Sequence, residues 1–362
     1  MNLTQRTREI VDNCRFCWMC RHVCPVGNVT GQERNNARAR ALAVSLVARG
    51  AQPLEDIVDN LYECTLCGAC TNNCVTGWDP KVFVQEVKTE AALSGLMPAY
   101  ISELLERYMR TGNVYGAEAV LPAGGAGDTA VFFGQDAACK SPGSCNKVMR
   151  LLAAAGEDPA VADCIDSGAA LWFLTGKTRE TQEAAKKCAA LLSGYQTVVV
   201  YDPVDLAFML HEYREWGIEV AAKLIGLGEY LLSLLQEGKL RVKKGRRVYT
   251  LQDSYAAARD LDDVTTGRTL IGRVGKNKEM LLHGKEANMA GSLLMHEYIY
   301  MPDVMEGIAR ARWREAVNTD CRTLVTCSPA EYVLLNMTAP EGCRAISLEE
   351  LLLENMEETR WI

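Results

Sequence analysis

Two short stretches of this 362-residue chain decide its fold. Residues 14–25 read CRFCWMCRHVCP, and residues 64–74 read CTLCGACTNNC. Both have the cysteine spacing C-x2-C-x2-C-x3-C, by which bacterial two-cluster ferredoxins hold their [4Fe–4S] clusters. Three thiolates two residues apart can wrap one face of a cluster, whereas the following helical turn carries the fourth thiolate towards the neighbouring cluster. The spacing therefore predicts two [4Fe–4S] clusters with crossed ligands.

The crossed arrangement divides the eight cysteines between two predicted ligand sets. The first cluster takes Cys14, Cys17, Cys20 and Cys74, and the second takes Cys64, Cys67, Cys70 and Cys24. Zinc ribbons are the alternative, because they also use paired C-x2-C motifs. Zinc needs only two such pairs, so the third cysteine of each run and the constant last step would have no explanation. We therefore expect clusters and not zinc.

Composition places the chain among soluble globular proteins. Hydrophobic residues make up 48% and charged residues 23%, and the net charge is −7. The acidic balance and the lack of a long basic run argue against a nucleic-acid partner. The N-terminal residues have no apolar signal segment and no stretch is long enough for a membrane span, so we expect a cytoplasmic protein. In such a chain fifteen cysteines indicate metal ligation or redox chemistry and not disulfides.

The spacer between the two runs predicts helices. Residues 33–50 read ERNNARARALAVSLVARG, which places Ala41, Val44, Leu46 and Val47 on or near one helical face, with Gly50 as the stop. A second short helix is predicted over residues 54–61. Two helices between the cysteine runs fit an all-helical ferredoxin domain better than the small β-type ferredoxin.

The N-terminal part resembles a known family. The motifs are the run ending in Cys24-Pro25, the GQE at residues 31–33 with its Arg-rich helix, and YECTLCGAC at residues 62–70. They resemble the ferredoxin half of the iron–sulfur subunits of heterodisulfide reductase (C/B or D type) and glycolate oxidase. Asp79-Pro80 and a helix over residues 81–95 continue the resemblance. Val75 stands where the family pattern has a proline, which supplies no ligand.

The rest of the chain alternates between β-rich and helical stretches, the pattern of an α/β domain with mostly parallel sheets. Predicted strands lie at residues 130–133, 170–174 and 197–201, and predicted helices follow at 146–155, 180–192 and 204–216. The sequence LPAGGAGDTA at residues 121–130 indicates a linker. We predict an α+β multidomain chain with a cluster domain at 1–100, a helix and linker at 101–129, and two modules at 130–245 and 246–362.

Two short internal matches suggest that the α/β part is duplicated. TVVVYDP at residues 197–203 aligns with TLVTCSP at 323–329, and VFFGQD at 131–136 aligns with VYTLQD at 248–253. In the family, this half carries two cysteine-rich modules with Cys-Cys-Gly motifs. The resemblance implies that most of their thiols are lost here: Asp202 precedes Pro203, Asp253-Ser254-Tyr255 replaces another expected cysteine, and residues 287–291 (ANMAG) stand near an expected Cys-Cys-Gly.

Seven cysteines lie in this half, and none forms a C-x2-C pair. They are Cys139, Cys145, Cys164, Cys188, Cys321, Cys327 and Cys343. Free cysteine is often a small buried hydrophobic residue, which is the expectation for most of them. A third cluster or reactive thiol built from Cys139, Cys145 and Cys327 is the alternative.

Together these features predict an electron-transfer iron–sulfur subunit without a catalytic site or an organic cofactor of its own. The resemblance implies a flavin-containing partner: an FAD-linked dehydrogenase, an electron-transferring flavoprotein or a heterodisulfide reductase-like flavin subunit. The alternative is a catalytic subunit that resembles a heterodisulfide or thiol–disulfide reductase, with its own site in the C-terminal half. A redox sensor that acts through a regulatory partner is a third hypothesis.

Overall fold

A computed structural model describes residues 3–15, 17–292 and 299–357. A helical N-terminal part is followed by two α/β units, each built on a sheet of four parallel strands. This is the fold class that the sequence predicts. In the described part of the chain, no helix combines the length and the apolar character needed to cross a bilayer.

The N-terminal part consists of short helices around the cysteine runs and longer helices packed behind them. Its helices are α1 (Gln5–Asp12), α2 (Met19–Val23), α3 (Pro25–Thr30), α4 (Ala37–Ala48), α5 (Val58–Tyr62), α6 (Ala69–Asn72), α7 (Pro80–Ser94) and α8 (Ala99–Thr111). Two 3-10 turns, Glu33–Asn35 and Leu54–Asp56, precede α4 and α5. The second predicted spacer helix is therefore a 3-10 turn followed by α5.

Helix α4 confirms the predicted spacer helix and corrects one of its core residues. The Asn36 side chain caps it by accepting a hydrogen bond from the Ala39 N–H at 2.9 Å. Ala41, Val44 and Val47 are buried as expected, but Leu46 is 37% exposed. Leu46 lies two residues from Val44, which on a helix is about half a turn away, so it faces solvent instead of the core.

The two α/β units follow the same plan. The first contains β1 (Thr129–Phe132), α9 (Gly134–Lys140), α10 (Pro142–Ala154), β2 (Ala160–Val161), α11 (Ala169–Thr175), α12 (Arg179–Leu192), β3 (Thr197–Val200), α13 (Pro203–Glu215), β4 (Lys223–Gly226) and α14 (Leu227–Gln236). The second contains β5 (Val248–Leu251), a π-helical turn (Ala256–Asp260), α15 (Thr266–Val274), β6 (Lys276–Asn277), α16 (Pro302–Val317), β7 (Thr323–Thr326), α17 (Pro329–Met337), β8 (Arg344–Ser347) and α18 (Leu348–Leu353).

Strand order and register support the duplication. The orders are β2-β1-β3-β4 and β6-β5-β7-β8, which are the same when each unit is numbered from its own first strand. Thr197 pairs with Lys223 and Thr323 pairs with Arg344, so the predicted match of β3 with β7 holds residue by residue. The other match is displaced. Val131 pairs with Val199 of β3, and Leu251 pairs with Val325 of β7. Val199 and Val325 are equivalent, so Val131 is equivalent to Leu251 and not to Val248, and the predicted alignment was wrong by three residues.

One predicted strand is a helix. Residues 170–174 (ALWFL) lie in α11, which is buried on nearly every side. A continuous apolar run of this length suits a buried helix as well as a buried strand, and periodicity cannot separate the two. The flanking glycines decide the outcome, because Gly168 and Gly176 both adopt positive φ and bound one short helix.

Both α/β units contact the helical part at the second cysteine run. The Tyr62 hydroxyl donates to the Leu174 carbonyl oxygen at 2.7 Å, and buried Lys88 donates to the Phe173 carbonyl oxygen at 3.1 Å. From the second unit, the Arg259 guanidinium donates to the Cys67 carbonyl oxygen at 2.8 Å. The second unit thus contacts the second cysteine run directly, and the first unit contacts the helices α5 and α7 beside it.

Close approach of α7 to the end of α11 depends on Gly176. Its φ is +63°, and an added Cβ would overlap the Thr89 hydroxyl and lie 2.7 Å from the Gln85 carbonyl oxygen. Gly112 has a φ of +75° but no heavy atom within 4 Å of the same position. Gly112 therefore serves as a control for positive φ without steric overlap; its ψ of 7° is the ordinary left-handed value, whereas the ψ of Gly176 is −145°.

We expect Gly176→Ala to destabilise the protein more than Gly112→Ala. Gly112→Ala should cost about 1–2 kcal/mol from the left-handed backbone alone. Gly176→Ala should cost about 1–3 kcal/mol more, because the new methyl group must displace the α7 backbone and because residues other than glycine rarely combine positive φ with a ψ of −145°. Urea unfolding followed by circular dichroism measures both, and equal losses in the two variants would contradict the close-approach argument.

Candidate metal centres

The first predicted ligand set lines one small cavity. Cys14, Cys17, Cys20 and Cys74 surround a space of about 20 Å³, and Cys70 touches it from the side. Cys20 lies in α2 and Cys74 follows α6, so the cavity forms where these two short helices pack together.

The second predicted set lines an adjacent cavity. Cys24, Cys64, Cys67 and Cys70 surround a space of about 30 Å³. Cys24 is the N-cap of α3, and its sulfur accepts a hydrogen bond from the Gly27 N–H at 3.4 Å. The eight cysteines are thus brought together in the crossed groups that the spacing predicts, while their ligation of iron stays a prediction.

The same backbone turn precedes the third cysteine of each run. Trp18 has a φ of 69° and Gly68 a φ of 70°, and each is the N-cap of the short helix that carries Cys20 or Cys70. A left-handed turn is easy for glycine and uncommon for tryptophan. The sequence signals the turn at Gly68 but not at Trp18, where the equivalent position in the other run is the only clue.

Hydrogen bonds set the electrostatics of the first cavity. Burial raises the pKa of the Cys74 thiol, but hydrogen bonds from the Thr76 hydroxyl and from the backbone N–H groups of Thr76, Trp78 and Gly77 outweigh it, so this pKa is lowered. The Thr76 oxygen lies 3.2 Å from the Cys74 sulfur. Such donors stabilise a thiolate, which is the form that binds iron.

A buried cation marks the second cavity. Arg40 is 2% exposed and lines the cavity; its Nε donates to the Asn60 carbonyl oxygen at 2.9 Å, whereas Nη2 has no hydrogen-bond partner. Burial lowers the pKa of Arg40, but the negative charges of Cys64 and Cys24 outweigh this effect, so the pKa of Arg40 is raised.

The donor set of the second cavity fits a [4Fe–4S] cluster. Four thiolates are the ligands that such clusters use, and the ligated cluster has a net negative charge that a buried guanidinium offsets. Burial, followed by the charges of Cys64 and Cys67, raises the pKa of Cys70 well above the usual range. Burial also raises the pKa of Cys24, so a metal group that binds here has to displace the protons of these two thiols.

The two cavities differ in exposure. Around the first, Cys17 is exposed, Trp18 is 38% exposed and Val75 is 80% exposed. Around the second, Leu66 and Cys67 are buried. One centre therefore lies at the protein surface and the other in the interior, between the helical part and the α/β units.

The structure does not gather the C-terminal cysteines of the alternative hypothesis in one cavity. Cys327 lines a cavity of about 250 Å³ between the two α/β units, and neither Cys139 nor Cys145 lines it. Burial raises the pKa of Cys327 well above its usual range.

Polar side chains occupy several positions where the family resemblance implies lost cysteines. The Tyr201 hydroxyl donates to Glu349 at 2.7 Å, and Asp202 caps α13 by accepting from the Val204 N–H at 2.9 Å. Asp253 forms an ion pair with Arg268 at 2.6 Å. The side chains at these positions thus find their hydrogen-bond and ion-pair partners within the protein.

The first unit contains a group of carboxyl groups that no sequence pattern predicts. Asp136, Asp166, Asp202 and Asp205 line one small cavity at the carboxyl ends of β1 and β3. Burial, then the charges of Asp202 and Asp205, raises the pKa of Asp136 well above its usual range, and burial raises that of Asp202 to about 6. The four residues are far apart in sequence, so only the fold reveals the group.

Comparisons with known proteins agree with the N-terminal geometry. The family model described as a 4Fe-4S dicluster domain matches residues 10–78. No curated protein matches the sequence. The match to the dicluster domain indicates an iron–sulfur protein with 4Fe–4S cofactors.

Solved structures show likeness of fold alone. A hypothetical protein from Helicobacter pylori is similar over 99% of this chain and 74% of its own, with 11% identity and a TM-score of 0.61. Glutamate racemase isoform RacE1 from Bacillus anthracis aligns over 62% of this chain and 77% of its own, with 12% identity and a TM-score of 0.31, which is too low to support an argument.

The carboxyl cluster predicts that stability falls as pH rises. A carboxyl pKa that is raised in the folded state stabilises the protein below the unfolded value of about 3.9, and this contribution is lost as pH rises through the folded value. For Asp202 the window is between about 4 and 6. Asp202→Asn keeps the cap and removes the charge, so it should raise the free energy of unfolding at pH 8 by about 1–3 kcal/mol and change it little at pH 4.

Urea unfolding at both pH values measures the effect of Asp202→Asn. Asp163→Asn, at an exposed position of the same unit, is the control and should change nothing. A variant no more stable than the original protein at pH 8 would show that Asp202 is not held against a raised pKa.

Proposed function

We propose that the chain is the electron-transfer subunit of a multisubunit oxidoreductase, relaying electrons between a flavin-containing partner and another acceptor through two [4Fe–4S] clusters. The observation that carries this proposal is the pair of adjacent cavities: each is lined by the four cysteines of one crossed set, and Cys70 of the second set also lines the first cavity. The resemblance to heterodisulfide reductase and glycolate oxidase iron–sulfur subunits supports the same role. We take residues 1–100 as the cluster-binding unit.

The residues of the chain fix the positions and the surroundings of the two centres. When bound, each cluster supplies a site that gains and loses one electron, at a potential set by charge, hydrogen bonds and solvent exposure. Arg40 places a buried positive charge at the second cavity, and Thr76 a hydrogen bond at the first. Arg259 fixes the loop between the second and third cysteines of the second run through the Cys67 carbonyl oxygen.

The surface at the first cavity suits a protein partner. Trp18, Met19 and Val75 expose apolar surface there, with exposed Arg15 and Arg21 beside them. An apolar centre with charged residues around it is the usual anatomy of a transient interface, and the basic residues favour an acidic partner surface. We assign this face to the flavin-containing subunit: an FAD-linked dehydrogenase, an electron-transferring flavoprotein or a heterodisulfide reductase-like flavin subunit.

The reductase alternative has less support. A thiol–disulfide reductase needs a thiolate nucleophile or a thiol-ligated centre in the C-terminal half. Cys327 is the cysteine closest to that role, and its raised pKa keeps it protonated. Neither Cys139 nor Cys145 shares its cavity.

Iron analysis tests the proposed function. Protein purified without oxygen should contain about eight irons and about eight acid-labile sulfides per chain, which is the content of two cubane clusters. Colorimetric iron and sulfide assays, with zinc measured in the same samples, provide the numbers. Two zinc ions with almost no iron would refute the proposal, and clearly more than eight irons would favour a further cluster in the C-terminal half.

Substitution of single cysteines tests the crossed ligation. Cys24→Ser should damage the cluster held by the second run, although Cys24 belongs to the first run, because it lines the cavity of Cys64, Cys67 and Cys70. Electron paramagnetic resonance of the reduced protein distinguishes the two clusters. Cys327→Ser is the control and should retain both signals. Loss of the first-run cluster in Cys24→Ser would show that each run holds its own.

A further inference from the structure

A much larger cavity than those described above lies against the second cysteine site. It has a volume of about 780 Å³ and is bounded mainly by α7 and α13. Leu66 and Lys81 line it and also line the cavity of the second cysteine set, so these two side chains form a shared wall. Its volume falls within the range of pockets that bind small organic molecules.

The walls combine aromatic surface with a few polar groups. Trp172, Phe173 and Phe208 line it, and the rings of Trp172 and Phe208 lie 5.8 Å apart. The Gln85 side chain lines the same cavity, and neither polar atom of its amide has a hydrogen-bond partner within the protein. Aromatic walls favour a flat ring system, and an amide can bind a carbonyl or hydroxyl group at its edge.

The charges around the cavity disfavour an anion. Its acidic lining residues are Asp79, Glu86, Glu90, Glu212, Glu215 and Asp260. Its basic ones are Arg6, Lys81 and Lys177, and each of these pairs with an acidic member: Lys81 with Asp260, and both Arg6 and Lys177 with Glu215. The excess of carboxylates would repel the phosphate groups of a nucleotide, whereas an uncharged ring experiences no such repulsion.

We propose that this cavity binds an uncharged quinone-type molecule, which exchanges electrons with the relay at its buried end. The site rests on the proposed relay function and adds the chemical class of its second redox partner. A quinone becomes a quinol by taking up two electrons and two protons. The reduced flavin of the partner subunit loses two electrons and two protons as it is oxidised, so the overall exchange balances in either direction.

Glu212 is placed to exchange one of these protons. It lines the cavity, and burial, followed by the charge of Glu215, raises its pKa to about 7. A carboxyl group that titrates near neutral pH can donate a proton to a quinone oxygen and regain it from water. The neighbouring His211 is exposed, so it connects the same wall with solvent.

Binding of menadione to the cluster-loaded protein tests the site. Isothermal titration calorimetry under nitrogen should show one menadione per chain. Val82→Trp, from α7, and His211→Trp, from α13, fill the cavity from opposite walls and should each weaken binding at least tenfold. Leu210→Trp is the matched control: it lies next to His211 but lines the cavity between the α/β units, so its affinity should be unchanged.

The charge of the ligand provides a second test. The 2-sulfonate of 1,4-naphthoquinone has a similar ring system and a negative charge, and it should bind at least tenfold more weakly than menadione. Three results would overturn the proposal. The Val82→Trp and His211→Trp variants could bind menadione as tightly as the original protein does, or Leu210→Trp could lose binding instead. The protein could also bind the sulfonate or flavin mononucleotide more tightly than menadione.

Iron content separates this proposal from the relay function. Val82 is half-buried and His211 is exposed, so each Trp variant should keep its clusters. Menadione binding is then judged on whichever variant has the same iron content as the original protein. A protein with about eight irons but no menadione binding would refute the quinone site and leave the relay intact. A protein without iron would refute the relay itself.

Discussion

Compensation of the buried charge of Arg40 is the constraint on which the helical part depends. A guanidinium taken out of water costs several kcal/mol unless an opposite charge lies beside it. Here the Asn60 carbonyl oxygen accepts one N–H, and Cys24 and Cys64 lie near the rest of the group. Glu63 supplies one negative charge, and thiolates at Cys24 and Cys64 would supply more. If these sulfurs bind the proposed cluster, packing of α4 with Arg40 inside and loading of the second site stabilise each other.

The two α/β units reach charge balance by different routes, although their strand order is the same. In the second unit, arginines neutralise two of the carboxylates: Arg268 pairs with Asp253, and buried Arg312 pairs with Glu315. In the first unit, none of the four clustered aspartates belongs to an ion pair in the part of the chain that the structure describes. Bound protons are the remaining way to neutralise Asp136 and Asp202, since both are buried. Glu331 and Glu349 of the second unit are also buried, and burial raises the pKa of each to about 7, so the stability of both units depends on pH.

Local sequence signals predicted the elements, and contacts between distant residues set most of what they missed. The cysteine runs and the strand–turn–helix match of β3 with β7 are short and continuous, so spacing alone predicts them. The apolar run in α11 was wrongly predicted as a strand, because burial on all sides removes the periodicity. The left-handed turn at Trp18 has no signal of its own. The carboxyl cluster and the cavity between α7 and α13 bring together residues from several elements, and nothing in the neighbouring sequence indicates either.

Helix α7 links the two ends of the proposed electron path. Its first turn carries Lys81 into the wall of the second cysteine cavity, and its outer face lines the large cavity from Val82 to Leu93. The same helix contacts α11 through Lys88, which fixes its position against the first α/β unit. The α/β units therefore do more than cover the helical part. Helices α11 and α13 supply the walls of the large cavity opposite α7, so the proposed second end of the path exists only where the first α/β unit meets the helical part.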